Sequence, residues 1–367
     1  MNKKYKRVLH VIPSLGIGGA ERCLHRFVLG QEYNEGSTVI VTLLPESESR
    51  VSKDLTELGI SVLSLNLRSI WFFPISIFKL AWMIYKFKPS IVQSWMHYAD
   101  LVATLALLIS GRRKNTRLIW GVRCSNLDFS QYGWKLFFTV KVCSFLSAKA
   151  DVIIANSEAG RSAHVKLGYA SERFRVVHNG IDVDKFAPIG VEARNKFRAK
   201  FSIPEDAFIV VMAARFDPQK DYQTFLRVVG RLPECVFLVA GTDTEKLPRI
   251  SNVIKVGVFG DMPTLFGSAD CVLSTSAYGE GFPNVVAEAM ACGVPAVATN
   301  VGDVSLIIGD TGYITDVKDC DGIVNAIISI KSECLHDKER RSKMSRRRIL
   351  ENFELKKMIS QLIYIQS

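Results

Sequence analysis

Two glutamates flank the start of a predicted helix in the second half of the chain, in the stretch EGFPNVVAE (280–288). Glycines turn the chain here, and Pro283 falls in the first turn of a helix that ends at Gly293. The amides at such a start have no partner within the helix, and with the positive end of the helix dipole they suit a phosphate group. The residues predicted to line this anion site are Phe282, Pro283, Asn284 and Val285.

The two carboxylates have different surroundings and therefore different expected partners. Glu288 lies one turn beyond Asn284 on the same helix face, among apolar neighbours, so its carboxylate is expected to be part-buried. A carboxylate buried without partners is strongly destabilising, and the two hydroxyls of a ribose would supply donors. Glu280 lies on the loop and should project toward whatever is attached to the phosphate. The alternative is that Glu280 caps the helix and Glu288 forms an internal salt bridge.

Two cations follow a buried strand further upstream, in the stretch AARFDPQKD. Arg215 lies at the carboxyl end of that strand, and Lys220 lies at a helix entry. Together they can neutralise a diphosphate and stabilise it as it leaves. In the alternative they lie on the surface and pair with Asp217 or Asp221. That alternative is less favoured because the cations and the glutamates occupy matching ends of one predicted sheet.

The elements that must position these residues alternate along the whole chain. Short β-rich runs separated by helical segments predict an α/β protein with parallel sheets covered by helices on both faces. In the first half the predicted strands are 7–12, 38–44, 61–65, 91–94, 118–121, 152–155 and 175–178. In the second half they are the runs FIVVMAARF, VFLVAG, VIKVG, CVLSTS and PAVAT.

The turn-rich stretch HNGIDVDKFAPIG (178–190) interrupts this alternation. We therefore predict two Rossmann-like domains, over 1–186 and 187–348, and a C-terminal helix, 349–367, that packs back on the first domain. The two parallel sheets would face each other across a cleft, with a ligand at the carboxyl ends of their strands. A length of 367 residues suits about two domains.

A glycine-rich turn, PSLGIGGAE (13–21), follows the first predicted strand. It begins like the dinucleotide fingerprint, but Glu21 occupies the place of the third glycine. We interpret it as the entry to a helix that begins near Ala20, with Glu21 as a first-turn acid suited to the helix dipole. Gly18 and Gly19 would let the backbone approach a donor diphosphate or an acceptor.

Five stretches, GGAE, NSEAGRSAH, HNGIDVDKF, RFDPQKD and EGFPNVVAEAMACGVP, together span nearly the whole chain. Their combination resembles glycosyltransferase family 4, a family of retaining enzymes with the GT-B fold, two Rossmann-like domains facing across a cleft. The likeness is to its bacterial surface-polysaccharide members. The two glutamates in E-x7-E spacing, together with Arg215 and Lys220, are the specific part of this resemblance, whereas GGAE alone is a weak signal.

The resemblance implies a role for each charged residue. Arg215 and Lys220 would bind the nucleotide diphosphate, helped by the amides at the start of the helix. Glu288 would hold the ribose hydroxyls, and Glu280 would hold hydroxyls of the donor sugar. The base would pack near 258–262. Such enzymes need no metal or other cofactor, because the cations replace the metal, so we expect no metal site.

On the acceptor side, His97 follows the predicted strand 91–94 in the stretch QSWMHYADL. The resemblance implies a catalytic histidine in this region, near the reacting carbon of the donor sugar, but in similar sequences the order is Tyr-His. One position turns a side chain at a helix entry by about 100°, so a capping histidine is the alternative. Arg123 could meet an acceptor phosphate, whereas Asn156 and Ser157 are interpreted as helix caps.

The formal net charge is +11, and its basic residues cluster at 338–348 and at 110–149. Such a surface beside aromatic residues suits anionic lipid headgroups or phosphate-bearing substrates, and a solvated face is the alternative. Nucleic acid is disfavoured as a partner, because no helix-turn-helix, RNA-recognition or zinc-finger signature accompanies the charge. The 8 scattered cysteines lack a C-x-x-C pair, so we expect reduced cytosolic thiols, no disulfide and no structural zinc.

The most apolar segment, 70–87, is interrupted by Pro74 and Lys79. It falls short of the ~20 mostly apolar residues of a spanning helix, and we favour a packed helix over one that dips into a membrane. The apolar run of the basic N-terminus breaks at Pro13 without a cleavage site, so we interpret it as a first strand. The expected location is cytoplasmic, with peripheral contact at the inner face of the cytoplasmic membrane left open.

These inferences converge on a retaining hexosyltransferase that uses a nucleotide-diphosphate sugar, with UDP favoured as the nucleotide. The acceptor would be a glycan, and we favour one carried on a polyprenyl diphosphate in bacterial polysaccharide assembly. Two other classes stay open: a nucleotide-sugar epimerase or glycan phosphorylase on the same scaffold, and a non-catalytic sugar-binding subunit. The complete set of two cations and two glutamates argues against the subunit.

Overall fold

The computed structural model describes residues 6–16, 18–30, 36–45, 49–67, 69, 72–123 and 129–367. It divides into two compact units, Met1–His178 joined by Met358–Ser367, and Asn179–Lys357. The chain therefore changes unit at 178, where the sequence predicts 186, because the next segment packs on the second unit. Ile181 donates its amide to the Phe353 carbonyl at 2.8 Å, and both side chains join the second core. The return to the first unit begins at 358, where the sequence predicts 349.

The first unit is built on a parallel sheet that is buried at its centre. Its strands are β1 (Val8–Ile12), β2 (Thr38–Thr42), β3 (Ser61–Ser64), β4 (Ile91–Ser94), β5 (Arg117–Val122), β6 (Val152–Ala155) and β7 (Phe174–Val176). They pair in the order β3-β2-β1-β4-β5-β6-β7. Strand β1, VLHVI, is buried along its whole length, as expected for a central parallel strand covered on both faces. The helices are α1 (Gly19–Leu29), α2 (Arg50–Glu57), α3 (Phe73–Phe87), α4 (His97–Ile109), α5 (Phe129–Leu146) and α6 (Glu158–Lys166).

The second unit repeats this design with a smaller parallel sheet. Its strands are β8 (Phe208–Ala213), β9 (Cys235–Ala240), β10 (Val253–Gly257), β11 (Cys271–Ser274), β12 (Ala296–Thr299) and β13 (Tyr313–Thr315), and they pair in the order β10-β9-β8-β11-β12-β13. The helices that follow in the chain are α7 (Val191–Lys200), α8 (Tyr222–Arg231), α9 (Met262–Gly267), α10 (Asn284–Ala291), α11 (Val304–Ile308), α12 (Cys320–Ser332), α13 (Leu335–Asn352) and α14 (Leu355–Gln366). The predicted α/β class with two parallel sheets is confirmed.

Helix α14 returns the chain to the first unit, where it contacts α1 and β4. Gln366 donates a side-chain hydrogen bond to Gln93 Oε1 on β4 at 2.6 Å in the buried interior. Near the start of the helix, Met358 Sδ lies 3.6 Å from Cys23 Sγ of α1. Both ends of the returning segment are therefore fixed to the first unit by buried contacts.

Helix α13 carries the basic cluster 338–348, and its part-buried arginines bind backbone carbonyls. Arg346 donates to the Phe186 carbonyl at 2.9 Å. Arg348 donates to the Ile307 carbonyl at 2.7 Å, at the C-terminal end of α11. These arginines hold the second unit together, so this part of the net charge does not by itself point to an anionic partner.

Helix α3 contains most of the apolar segment 70–87 and packs against the neighbouring helix α4. Its buried residues are Ser76, Ile77, Leu80, Ala81 and Ile84. The expected packed helix is therefore present, although only one face of it is covered. In the part of the chain that the structure describes, no helix is both long and apolar enough to span a membrane.

Candidate functional site

A pocket of about 210 Å³ lies at the carboxyl ends of β8 and β11, which are neighbours at the centre of the second sheet. This end of a parallel α/β sheet is where ligands bind. The lining residues are Met212, Ala213, Ala214, Lys220, Leu273, Ser274, Ser276, Glu280, Phe282, Pro283, Asn284 and Val285. The pocket thus brings together Lys220, Glu280 and the predicted anion-binding segment 282–285.

Helix α10 presents its N-terminus to this pocket. Pro283 is the N-cap residue, one position before the predicted first turn, and makes no side-chain cap hydrogen bond. Val286 N is bonded to the Pro283 carbonyl at 3.1 Å. The amides of Asn284 and Val285 come before it and have no carbonyl one turn earlier in the helix to bind. These two amides and the helix dipole make this end of the pocket suitable for an anion.

Lys220 and Glu280 form an ion pair on the wall of the pocket. Their side chains are only 20% and 13% exposed, and Ser276 Oγ donates to the same Glu280 oxygen at 2.7 Å. Solvent screens such a part-buried pair less than a surface pair, so the interaction is correspondingly stronger. A ligand that binds the Lys220 ammonium must therefore compete with Glu280 for it.

Hydroxyl groups at the ends of β11 and β12 hold this ion pair in place. Thr275 Oγ1 donates to the Lys220 carbonyl at 2.7 Å, and Thr299 Oγ1 donates to the Ser276 carbonyl at 2.5 Å. Thr275, Ser276 and Thr299 are all buried. The sequence alone indicates no role for these residues. Thr275 and Ser276 belong to the run STS that ends the apolar stretch CVLSTS, and Thr299 ends the run PAVAT.

Arg215 and Glu288 are not part of the pocket lining found among the described residues. Arg215 follows β8, and its side chain is 66% exposed, 4.0 Å from Asp217. Glu288 is buried on α10, one turn inside the helix. Burial, followed by the nearby charge of Glu288, raises the pKa of the Cys292 thiol to about 12. Of the two predicted cations, Lys220 thus lies in the pocket beside the start of α10, whereas Arg215 is exposed to solvent.

Two family models match the chain and together cover most of it. The model described as Glycosyltransferase Family 4 matches residues 17–185, and the model described as Glycosyl transferases group 1 matches residues 193–349. The chain belongs to glycosyltransferase family 4. All of the residues that line the pocket fall within the second match.

Curated relatives in mycobacteria align with part of this family 4 chain. D-inositol 3-phosphate glycosyltransferase of Mycolicibacterium smegmatis is 32% identical over 190 residues, which cover 47% of this chain and 43% of that protein. The protein of the same name from Mycobacterium tuberculosis is 31% identical over 179 residues, which cover 44% and 36%. The alignment thus spans less than half the length of either relative.

Solved structures share the fold over nearly the whole chain. Anabaena HepE, crystallised with UDP and glucose and with UDP-glucose, aligns with a TM-score of 0.83 over 98% of this chain and 99% of that chain, at 18% identity. The lipopolysaccharide outer core galactosyltransferase WaaB, in its apo form, aligns with a TM-score of 0.70 over 98% and 99%, at 16% identity. At these identities the likeness concerns the fold alone, and it confirms the predicted GT-B fold.

The glycine-rich turn of this family 4 chain leads into α1, which begins at Gly19 with Gly18 as its N-cap. Glu21 lies in the first turn, as predicted. A Cβ atom on Gly18 would collide with the Glu21 carboxylate, whereas the space around Gly19 is open. The Glu21 carboxylate is the far end of a flexible side chain and can move aside, so this contact does not by itself require glycine at position 18, and the predicted role of Gly18 and Gly19 stays a prediction.

His97 is the first residue of α4, and its ring is 3% exposed. The ring lies beside His164, with 3.5 Å between the two Nε2 atoms. His164 Nδ1 lies 2.7 Å from the Gly160 carbonyl. Nδ1 therefore carries the proton of neutral His164, and His97 Nε2 donates to His164 Nε2. The structure places His97 in the interior of the first unit, and its catalytic role stays a prediction.

Other predicted residues of the first unit lie at strand ends. The Arg123 guanidinium, just after β5, stacks over the Trp95 ring at 4.8 Å. Ser157 is the N-cap of α6 and accepts a hydrogen bond from Gly160 N at 2.9 Å, which confirms its predicted capping role.

In the second unit, the predicted base-binding segment 258–262 follows β10 and begins with Val258, which is 77% exposed.

Acidification should destabilise the first unit, because it holds buried neutral histidines. Burial lowers the pKa of His10 and His97 to about 3, and it also lowers the pKa of His164. Unfolded histidine titrates near 6.5, so the unfolded chain binds more protons below that pH, and stability falls from about pH 6.5 toward pH 3. At pH 5 the buried, neutral side chains of His10 and His97 would each lower the free energy of unfolding by about 2 kcal/mol. Buried Asp100, whose pKa is raised by burial, acts in the opposite direction.

The measurement is the urea midpoint at pH 7 and pH 5, followed by tryptophan fluorescence, since all 5 tryptophans belong to the first unit. His10→Gln keeps an acceptor for the Trp95 indole, which lies 3.3 Å from His10 Nδ1, and should reduce the pH dependence. His336→Gln, on exposed α13, is the matched control and should leave it unchanged. A midpoint that rises on acidification would contradict the prediction.

Proposed function

We propose that this protein is a retaining glycosyltransferase that moves a hexose or N-acetylhexosamine from a nucleotide-diphosphate sugar, with UDP as the favoured nucleotide. The observation that carries the proposal is the pocket of the second unit, where the Lys220 ammonium and the start of α10 meet. The UDP and UDP-glucose complexes of HepE support a nucleotide-sugar donor, and the name of the curated relatives supports glycosyl transfer.

Two positive groups in this pocket would bind the donor diphosphate and stabilise the charge that develops as it leaves. Lys220 supplies one, and the amides of Asn284 and Val285 supply the other. Because these groups take the place of a metal ion, we propose that transfer needs no metal or other cofactor. The acceptor hydroxyl would attack from the face that the diphosphate leaves and pass its proton to the leaving phosphate, which retains the configuration.

The two glutamates would bind hydroxyl groups of the donor, Glu288 those of the ribose and Glu280 those of the sugar. Glu280 is now paired with Lys220 and bonded to Ser276. When the diphosphate takes over part of the lysine's charge, sugar hydroxyls would supply Glu280 with new donors. The part-buried charges of Lys220 and Glu280 would then both keep a partner in the complex. A buried charge without a partner would be strongly destabilising.

For the acceptor we propose a glycan carried on a polyprenyl diphosphate, in bacterial polysaccharide assembly, with the protein in the cytoplasm at the inner face of the membrane. The name of WaaB, a lipopolysaccharide outer core galactosyltransferase, supports a bacterial glycan as acceptor. The inositol phosphate in the name of the mycobacterial relatives supports only an acceptor that bears phosphate. Arg123, stacked on Trp95, would bind an acceptor phosphate.

The donor is tested by a thermal-shift screen against UDP-, GDP-, ADP- and dTDP-sugars. A ligand at ~100 times its dissociation constant should add about 2.7 kcal/mol to stability. The protein is then incubated with the stabilising donor and a polyprenyl-diphosphate-linked glycan as acceptor, with and without EDTA, and transfer is measured. The anomeric configuration of the product is determined by NMR. An epimerised sugar nucleotide without acceptor, phosphate-dependent glycan breakdown, or binding without any reaction would each replace the proposal with one of its rivals.

Replacing Glu288 by alanine should raise the donor KM by about tenfold or more, because hydrogen bonds to a charged group contribute about 1.5–3 kcal/mol. Steady-state kinetics with varied donor gives the measurement. Glu339→Ala, an exposed glutamate on α13, is the matched control. If Glu288→Ala transferred and hydrolysed donor like the wild type, the assignment of the ribose site would be wrong.

Replacing Ser276 by alanine should lower kcat/KM by about tenfold, because it removes one hydrogen bond to the charged Glu280 carboxylate. Ser276→Thr keeps the hydroxyl and should recover part of the loss. Ser274→Ala, on the same pocket wall, is the control for a change of surface alone. A normal pH profile and kcat/KM in Ser276→Ala would show that this hydroxyl does not position Glu280.

A further inference from the structure

The outer face of α3 exposes large apolar side chains to solvent. Buried and exposed positions alternate with the helical period, so one stripe packs on the unit and the opposite stripe does not. The large apolar residues of the outer stripe are Ile75, Phe78, Trp82 and Tyr85. Trp82 and Phe78 are each 62% exposed. A solvated amphipathic helix would carry polar residues at these positions.

Helix α5 exposes a second stripe of the same kind. Its large apolar residues are Trp134, Phe137, Phe138 and Phe145. Trp134 is 70% and Phe145 is 85% exposed. Helix α4 contacts both α3 and α5, so the three helices lie side by side on the first unit. We call the two stripes together the aromatic face. Large exposed apolar stripes of this kind mark an interaction site.

The charge of the aromatic face has one sign. Neither 73–87 nor 129–146 contains an aspartate or a glutamate. The lysines of the face are Lys79 and Lys86 on α3 and Lys135 and Lys141 on α5, and all four are exposed. Lys86 lies over the Trp82 ring at 5.7 Å, and Lys141 lies over the Phe137 ring at 5.8 Å. The partner must therefore be apolar and anionic together.

We propose that the aromatic face docks on an anionic lipid surface. Trp and Tyr side chains are favoured at the boundary between lipid headgroups and acyl chains, and lysine stems extend along apolar surface with their charges at the headgroups. A second copy of this chain is a poorer occupant, because a two-fold interface would place lysine against lysine. The inference rests on the proposed function for its purpose, since a lipid-linked acceptor would be met at this surface.

The test is co-sedimentation of the full chain with vesicles, without donor or acceptor. The wild type should bind vesicles of phosphatidylglycerol and phosphatidylcholine in equal parts, and at least about tenfold more weakly when phosphatidylcholine is used alone. The double variant Lys79→Glu/Lys86→Glu should lose about tenfold in binding to the mixed vesicles. Trp82→Ser/Phe138→Ser should lose at least as much, even at low salt, because it removes the apolar contribution.

Matched controls separate this face from exposed residues elsewhere. Tyr364→Ser removes an exposed aromatic side chain from α14, and Arg340→Glu/Lys343→Glu reverses two exposed charges on α13; both should bind like the wild type. Failure of the wild type to bind, equal losses in the controls, or a dimer that Trp82→Ser/Phe138→Ser dissociates would overturn the proposal. Transfer to a water-soluble acceptor should persist in Trp82→Ser/Phe138→Ser, so loss of docking and failure of the proposed reaction are told apart.

Discussion

Lys220→Ala should lower kcat/KM for sugar transfer by about 100- to 1,000-fold, the effect of removing one preorganised group that stabilises developing negative charge. The lysine is the cation of the pocket lining, held in place through the Thr275 hydroxyl and the Glu280 carboxylate. Because the leaving diphosphate gains charge in the transition state, most of the loss should appear in kcat. Steady-state kinetics with the donor identified by thermal shift gives the measurement.

Removal of this lysine also leaves Glu280 with a smaller set of partners, so a loss of activity must be separated from a loss of fold. The thermal midpoint of each variant is recorded alongside its kinetics. Lys246→Ala is the matched control, since Lys246 is an exposed lysine of the same unit that pairs with Asp243 at 2.7 Å. Equal activity in Lys220→Ala and Lys246→Ala would remove Lys220 from the reaction, whereas Lys220→Arg should retain part of the rate.

The fold could be predicted from the sequence because most of its strands are short, mainly apolar runs bounded by turn or helical segments. Central strands buried on both faces, such as β1 and β6, carry little polar alternation and match the predicted runs to within one residue at either end. The predicted runs for β4 and β10 match equally well, although these strands contain polar residues. Strand β13 was missed. It has three residues, GYIT supplies little apolar length, and its partly exposed side chains give no continuous signal. Short edge strands are defined by pairing with a neighbour, which the local sequence does not encode.

The charged residues of the site could be predicted only in part. Lys220, Glu280 and the start of α10 share one pocket because they follow neighbouring strands of one sheet. The ion pair between Lys220 and Glu280 could not be predicted, since the loop after β11 decides which way each side chain turns. Ser276 was missed for the same reason: a hydroxyl at a strand end has no periodicity that distinguishes a structural role from a solvated one.

The apolar segment 70–87 illustrates a different limit. Its sequence is apolar almost all round, so it predicts burial but not which face is covered. Packing against α4 covers the stripe that contains Leu80 and Ile84 and leaves Trp82 exposed. The packed helix is therefore compatible with the lipid docking proposed above, because that proposal concerns the opposite, exposed face of α3.

Asp270→Ala should destabilise the second unit by about 3 kcal/mol, because it leaves a buried cation without its carboxylate. Asp270 Oδ2 accepts the Ile209 amide at 2.8 Å and lies 3.5 Å from Arg198 Nη2, while Oδ1 accepts from Arg194 at 2.6 Å. Burial, with the neighbouring Arg194 charge, lowers the pKa of Arg198, and the Asp270 charge raises it. Loss of the Asp270 carboxylate therefore removes the acceptor of the Ile209 amide in β8. It also removes the negative charge that compensates for burial of the Arg198 guanidinium.

Hydrogen exchange of the β8 amides gives the measurement, since the tryptophans report only on the first unit. Asp270→Asn keeps an acceptor for the Ile209 amide but no charge, and should fall between the wild type and Asp270→Ala. Asp321→Ala is the matched control: it removes an exposed pair with Arg231 and should leave the protection of β8 unchanged. Equal protection of β8 in Asp270→Ala and Asp321→Ala would show that Arg198 is held by its bonds to backbone carbonyls alone, such as that of Pro204 at 2.8 Å.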